Sequence, residues 1–271
     1  MDPVSNACAE LFEDTPDSEA IAGRLLIAFS GGMDSTVLLH ALTQAAIRSG
    51  QQDRLLAVHV DHGLNPESPR WAEHCGSVAR SLSVSFESRT SPVDTGSNLE
   101  ARARSARYAA FEAWLNAGDT LLLAHHAADQ LESQFLHLLQ GRGLYGLPAS
   151  RRLGAGRLQR PLLALPRDTL AGYARQHALS WLEDPSNRDE GLDRNFLRHR
   201  LLPELERRFD GLAGRIHQVA ENLADAAAAM DELGGLDRQP LPLTVFDGLS
   251  QRARLALLRR WLNRHAGEGG V

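Results

Sequence analysis

Arg24-Leu25-Leu26-Ile27-Ala28-Phe29-Ser30-Gly31-Gly32-Met33-Asp34-Ser35 is the stretch that decides the fold. Its apolar half has the length of a buried strand and stops at a Ser-Gly-Gly turn. A helix is predicted over residues 34–49, with Val37, Leu38, Ala41 and Leu42 facing inward. Two glycines let a backbone approach a phosphate without a Cβ in the way. Ser30 and Ser35 add hydroxyls, and the helix start adds free amides and the positive end of its dipole. Asp34 would repel a phosphate directly; it suits a magnesium ion or an acceptor oriented by the turn.

The same alternation continues outward. Strands are predicted over 55–60, 84–87 and 120–124, and helices over 69–82, 98–116 and 127–139. Strands alternating with helices of this length imply an α/β fold: a Rossmann-like parallel sheet with helices on both faces. Ligands of such sheets bind where strands end and helices begin. The stretch 141–156 is rich in Gly and Arg and reads as a loop or an arginine-lined hairpin. Helices over 167–177, 193–209, 212–230 and 250–265 follow, with an irregular segment over 181–187 and a linker around Gly234, Gly235 and the prolines at 240 and 242. A boundary near residue 210 divides a large domain (1–210) from a small C-terminal helical domain (211–271).

Composition narrows the chemistry. The chain has 271 residues and a net charge of −5, and every basic residue apart from the histidines is arginine. Without a lysine it cannot be a Walker-type phosphate binder, a Schiff-base enzyme or a ligase carrying a lysyl-adenylate. Cys8 and Cys75 are the two cysteines. They form no CxxC pair, so the chain has no disulfide framework, four-cysteine zinc site or iron–sulfur ligand set of its own. No apolar run reaches membrane-spanning length and the acidic N-terminus has no signal pattern, so a cytoplasmic protein with no membrane partner is expected. Arg142, Arg151, Arg152, Arg157 and Arg160 fall close together, and Arg194, Arg198, Arg200, Arg207 and Arg208 form a second group. Locally basic surfaces on an acidic chain suit a partner held at one face.

The motif resembles the SGGxDS loop of the PP-loop ATP pyrophosphatases, a superfamily that cleaves ATP between its α and β phosphates and adenylates an oxygen. Three further stretches sharpen the likeness: His59-Val60-Asp61-His62-Gly63-Leu64, His125-His126-Ala127-Ala128-Asp129-Gln130-Leu131-Glu132-Ser133, and Trp181-Leu182-Glu183-Asp184-Pro185-Ser186-Asn187 followed by Arg194-Asn195-Phe196-Leu197-Arg198. Together they resemble the tRNA(Ile)-lysidine synthetase family from about residue 24 to about residue 210.

The resemblance implies ATP and Mg²⁺ as cofactors, and L-lysine and tRNA(Ile) with a CAU anticodon as partners. The implied reaction adenylates the C2 oxygen of the wobble cytidine and then joins lysine to C2, releasing AMP and pyrophosphate. It implies that Ser30, Gly31, Gly32, Met33, Asp34 and Ser35 bind ATP. Asp34, Arg104, Asp129 and Glu132 take catalytic roles, and Asp34 and Asp129 hold the metal. Glu100, Arg107, His125, His126, Arg194 and Asn195 are the implied substrate-binding set, and a homodimer is left open. Free lysine amine, with a pKa of about 10.4, is almost wholly protonated at neutral pH, so the site must remove a proton or desolvate the amine. Asp129 and Glu132, three apart on a helix, share a face for that task.

The chain departs from the family pattern where Ala128 replaces the first of two successive acids. A Met usually found after the Gly-Leu near residue 147 is also missing. Many family members continue into further C-terminal domains that grip tRNA, whereas this chain stops at Gly-Glu-Gly-Gly-Val. If it is truncated, tRNA affinity is expected to fall before chemistry does. The rival readings are a PP-loop tRNA thiolation enzyme, which needs a reactive cysteine, and an ATP-binding module without catalysis.

Overall fold

The computed structural model describes residues 2–13, 23–61, 63, 68–93, 99–184, 189–234 and 242–266. Six strands form one sheet: β1 (Leu25–Ala28), β2 (Leu55–Asp61), β3 (Ser85–Thr90), β4 (Thr120–Leu122), β5 (Ser150–Leu153) and β6 (Gly156–Gln159), in the order β3-β2-β1-β4-β6-β5. All neighbours pair in parallel except β5 and β6, which form an antiparallel hairpin. The arginine-rich stretch is therefore the hairpin alternative of the sequence reading, and β6 extends the parallel sheet beyond the strands that were predicted.

Alternation along β1 divides the core. Leu25 and Ile27 face a layer built from α1 (Pro3–Ala9), α2 (Met33–Ser49), α3 (Ser68–Ser81) and α6 (Arg167–Gln176), in which Val4, Leu38, Leu42, Cys75 and Leu170 are fully buried. Leu26 faces the opposite layer, where Phe111, Trp114 and Leu115 at the end of α4 (Leu99–Glu112) pack against Leu56, Val58, Leu121 and Leu158. Such near-continuous apolar strands are what a sheet covered on both faces requires. Helix α1 was not predicted: Asp2 caps it by accepting from the Ser5 amide at 2.9 Å, and its apolar residues are too few for a periodicity to show.

A third cluster joins α5 (Ala127–Leu139) to the C-terminal helices. Leu131 packs with Leu197 and Leu202, and Ala213 and Ile216 of α9 (Leu212–Gly234) lie against them. The single helix predicted over 193–209 is instead α7 (Asp193–Phe196), a π-turn at Leu197–Leu201, and α8 (Leu202–Arg208). A π-turn adds one residue to the helical repeat and is frequent at functional sites. Helix α10 (Gln251–Ala266) closes the chain. No helix among the described residues is long and apolar enough to cross a membrane.

The start of β1 is tied to the loop before β4 by Asp119. Its carboxylate accepts from the Arg24 amide (2.8 Å), the Arg24 guanidinium (2.7 Å) and the Asn116 amide (2.9 Å). Burial pushes this carboxyl up, but the bonds from Arg24 and Asn116 outweigh it and hold the group below its ordinary value. Asp119→Ala should therefore lower stability by about 1–2 kcal/mol, since it removes three hydrogen bonds from part-buried donors that water only partly replaces. The sign with pH follows from the depressed value: the stabilisation is complete above about pH 4 and fades as pH falls through the lower folded value. Urea titrations at neutral and acid pH check both points; the variant's deficit should be largest at neutral pH and shrink in acid.

Candidate active site

The strand order reverses between β1 and β4, so the loops leaving their carboxyl ends diverge and leave a crevice. The Ser30-Gly31-Gly32 turn enters it from β1, and His125-His126 enters it from β4.

In the turn, the Ser30 and Ser35 hydroxyls lie 3.1 Å apart, and Ser35 donates to the Gly32 carbonyl at 3.0 Å. Gly31 adopts φ +81°, and a Cβ there would meet Cys75 Sγ at 3.0 Å and the Trp71 ring at 3.2 Å. Glycine is thus required twice over, for its backbone angle and for its lack of a side chain. The Gly31 carbonyl accepts from the Leu182 amide at 2.9 Å. That bond binds the Trp181 segment to the turn although about 150 residues separate them in sequence. Trp181 itself packs on the core. Residues 185–188, with Asn187, lie outside the described residues, as do His62 and residues 64–67. His59 is buried behind the turn, its Nδ1 2.9 Å from the Phe29 carbonyl and 3.7 Å from Cys75 Sγ.

Asp34 and Asp129 meet through His126. The buried His126 ring places Nε2 3.6 Å from Asp34 Oδ2 and 3.5 Å from Asp129 Oδ2, while the His126 amide donates to Asp129 Oδ2 at 3.0 Å. On the next helical turn Glu132 is fully buried, beside Asp129. Two arginines from the π-turned segment answer these charges. Arg194 donates to Glu132 at 2.8 Å and to Asp129 at 3.0 Å. Arg198 donates to the two Glu132 oxygens at 2.5 and 2.9 Å and to Asp129 at 3.1 Å. Burial alone would raise the Asp129 carboxyl; His126, Arg194 and His125, with the His126 amide, hold it below the ordinary carboxylate range. Arg198 loses some basicity to burial, but Glu132 and Asp129 more than restore it.

Of the two expected cation ligands, Asp34 keeps an oxygen that fits. Its Oδ1 is buried and has no hydrogen-bond partner among the described residues. Both oxygens of Asp129 already accept hydrogen bonds, Oδ1 from the arginines and Oδ2 from His126. Asp129 thus already carries two guanidiniums and an amide, and of the two carboxylates Asp34 is the one that keeps an oxygen without a hydrogen-bond partner among the described residues. A magnesium site using one carboxylate with phosphate oxygens and water is a common pattern, and Asp34 beside the glycine turn suits it.

His125 points the other way. Its Nδ1 accepts from Arg160 Nε at 2.9 Å. Burial pushes its pKa down to about 3; Asp129 opposes the shift, while Arg160, Arg194 and Arg104 reinforce it. The ring is neutral at physiological pH and serves as an acceptor. Asn195 is buried and donates to the Asp189 carbonyl at 2.9 Å, so it shapes the turn before α7 rather than standing open to a substrate. Gln130, within the same motif, accepts from the Leu147 amide at 2.6 Å and anchors the approach to the hairpin. Arg104 lies exposed on α4 with its guanidinium 5.0 Å over Tyr108. Arg107 is exposed on the same helix, and the side chain of Glu100 lies outside what is described.

The sequence reading places Arg194 in the substrate-binding set and Arg198 only in the quoted motif and the second arginine group, not against the carboxylates. The i+4 spacing of Arg198 from Arg194 was the available signal. Arg160 and Tyr108 were not singled out, since nothing local distinguishes them.

Residues 3–205 match the PP-loop domain family. Over most of its length the chain is similar to curated tRNA(Ile)-lysidine synthases. That of Alkalilimnicola ehrlichii is 47% identical over 249 residues, 87% of this chain and 55% of that protein. That of Pseudomonas aeruginosa is 44% identical over 247 residues, 88% of this chain and 56% of that protein. That of Coxiella burnetii is 40% identical over 250 residues, 88% of this chain and 55% of that protein. The chain therefore spans little more than half the length of these relatives. Among solved structures, the U34-tRNA thiolase NcsA from Methanococcus maripaludis, described with its 4Fe-4S cluster, superposes with a TM-score of 0.62 at 14% identity, covering 82% of this chain and 79% of that chain. This likeness is one of fold.

Glu132→Ala should cost about 3 kcal/mol, because it leaves two partly enclosed guanidiniums without their principal counter-charge. Glu132→Gln should recover part of that loss through its remaining hydrogen-bonding capacity. Urea denaturation of both variants gives the comparison; a cost under about 0.5 kcal/mol for the alanine would mean the network adds no stability.

Proposed function

The chain belongs to the PP-loop family, and from that membership we propose that it uses ATP to join L-lysine to C2 of the wobble cytidine of tRNA(Ile) with a CAU anticodon, forming lysidine. The observation that carries this reading is the meeting of Asp34, from the glycine turn, with Asp129 through His126, and of Asp129 with Glu132 through Arg194 and Arg198, in one crevice. A phosphate-binding turn beside a carboxylate pair is what an adenylation followed by amine attack needs. The curated relatives named above support the choice of base and amine.

Gly31, Gly32 and the first amides of α2 would hold the phosphates of ATP, since close backbone approach and the helix dipole favour negative charge there. Magnesium, held by Asp34, would offset charge on the phosphates. The cytosine C2 oxygen attacks the α phosphorus and pyrophosphate leaves. Lysine then enters with its ammonium toward Asp129 and Glu132. Each carboxylate has more acceptor capacity than its arginine bonds use, so an ammonium can share the site with Arg194 and Arg198. The ammonium first gives one proton to the carboxylates; the freed amine nitrogen then bonds to C2, the C2–O bond breaks, AMP departs with that oxygen, and the second proton leaves the new C–N bond to water. His125 is not placed for that transfer, because its Nδ1 already accepts from Arg160. Its part is to hold Arg160 in place.

A thiolation reading needs a reactive cysteine. Both Cys8 and Cys75 are buried, and burial pushes each thiol up to about 12, which leaves almost no thiolate at neutral pH.

The test is incubation with radiolabelled ATP, Mg²⁺, lysine and a tRNA(Ile) transcript bearing CAU. AMP release dependent on both lysine and tRNA, with a lysine-sized mass gain on the cytidine, is the expected result. Asp34→Ala should lower the rate by at least 100-fold, roughly 3 kcal/mol of transition-state stabilisation. Pyrophosphate release without lysine incorporation would overturn the choice of nucleophile.

A further inference from the structure

Every strongly buried acid of the crevice has an arginine partner, but one strongly buried arginine has no acid. Arg160, 4% exposed at the end of β6, donates to His125 Nδ1 at 2.9 Å and to the Pro148 carbonyl at 2.5 Å. Both acceptors are neutral. Around it stand further positive charges rather than compensating ones. The Arg104 guanidinium lies 5.0 Å over the Tyr108 ring, and the Arg151 guanidinium lies 5.2 Å from the same ring. The Tyr108 hydroxyl accepts from Arg104 at 3.4 Å and is also a hydrogen-bond partner of Arg160. Burial lowers the basicity of Arg160; Tyr108 opposes this, and Arg151 and Arg104 push it down further. Among the described residues none of Arg104, Arg151 and Arg160 forms an ion pair with a carboxylate. Guanidinium does not lose its proton in proteins, and a buried charge without a counter-charge is costly. Such a cluster is complete only with an anion.

We propose that Arg104, Arg151 and Arg160, gathered round Tyr108, form a seat for one backbone phosphate of the RNA strand whose base enters the crevice. The inference rests on the RNA-modifying reading above and adds to it the place where the strand is held. The pyrophosphate portion of ATP is the other source of the same chemistry, and position argues against it. Arg160 ends β6, which is separated from β1 and its glycine turn by β4, a distance of roughly 10 Å at two strand spacings. His125, bonded to Arg160 and adjoining His126, links the seat to the carboxylate pair. A phosphate held there would therefore set the register of the strand, as phosphate contacts do in nucleic-acid recognition. The planar, fixed-charge arginine fork suits phosphate oxygens. Arg151 pairs with Leu158 in the hairpin, on the face that packs toward α4, whereas its neighbour Arg152 points to the opposite face.

That opposition provides the control. Binding of a fluorescein-labelled RNA hairpin with a CAU loop is measured by anisotropy from about 50 to 200 mM salt, for wild type, Arg151→Gln and Arg152→Gln. ATP affinity is measured by equilibrium dialysis on the same proteins. Arg151→Gln should weaken RNA binding three- to tenfold and reduce the slope of log K against log salt by about one, the signature of one lost phosphate contact. Arg152→Gln should change the slope by less than half as much, and ATP affinity should hold in both. Equal slopes for wild type and Arg151→Gln overturn the seat, as do equal losses in the two variants, which would mean a diffuse basic surface. Weaker ATP binding in Arg151→Gln with RNA binding intact overturns the assignment to RNA. Where wild type still shows lysine-dependent AMP release, these results sink the seat alone. A wild type with neither RNA affinity nor that activity sinks both it and the function it rests on.

Discussion

A buried carboxylate must be matched by a positive charge, and Glu132 is where this molecule meets that requirement most sharply. It lies on α5 with almost no exposure, and Arg194 and Arg198 reach it from a segment more than 60 residues further along the chain. The cost of desolvating such a charge unpaired is several kcal/mol, so the helix carrying the arginines has little freedom to sit elsewhere. Much follows from that. The π-turn after Phe196 lies within the helix carrying both guanidiniums, and Leu197 and Leu202 fill the apolar space beside Leu131. Helix α9 then docks on the same patch through Ala213 and Ile216. The charged knot thus organises the approach of the C-terminal helices as well as the site.

The crevice separates its charges by element. Acids come from α2 and α5; the arginines of α7 and the π-turn satisfy those of α5, and His126 stands between these and Asp34 of α2. On the far side of β4, the arginines of α4 and the β5–β6 hairpin stand with neutral partners. His125 and His126 occupy the divide. One ring faces Arg160 and the other faces Asp34 and Asp129. Adjacent residues leaving a strand point to opposite sides, so a His-His pair at the end of β4 can serve the two halves at once.

Some of this was legible in the chain itself. The run from Arg24 to Ser35 reads as an apolar strand, a Ser-Gly-Gly turn that permits close backbone approach, and a helix whose free amides face the turn. The strand–helix alternation that follows dictates a parallel sheet, and Asp129 with Glu132 on one helical face was set by spacing alone. Absence of lysine removed whole classes of chemistry without any structure. These features are local, governed by backbone sterics and side-chain periodicity over a few residues.

Other features needed the folded chain. Helix α1 is too short to announce itself by periodicity, and the β5–β6 hairpin read equally well as a loop. Asn195 looked like a binding residue until its amide was found bonded to the Asp189 carbonyl. That Asp129 carries two arginines was likewise not legible from its place in the motif. Arg160 was one arginine among many. What makes it distinctive is that β6 inserts beside β4 and buries it against His125, a contact 35 residues apart in sequence. The sequence by itself determined the element types, the conformation of the glycine turn and the face shared by the carboxylates, because those depend on neighbours in the chain. Only the tertiary structure decided which charges are paired and which are left over, because pairing depends on which elements the sheet order brings within about 3 Å of one another.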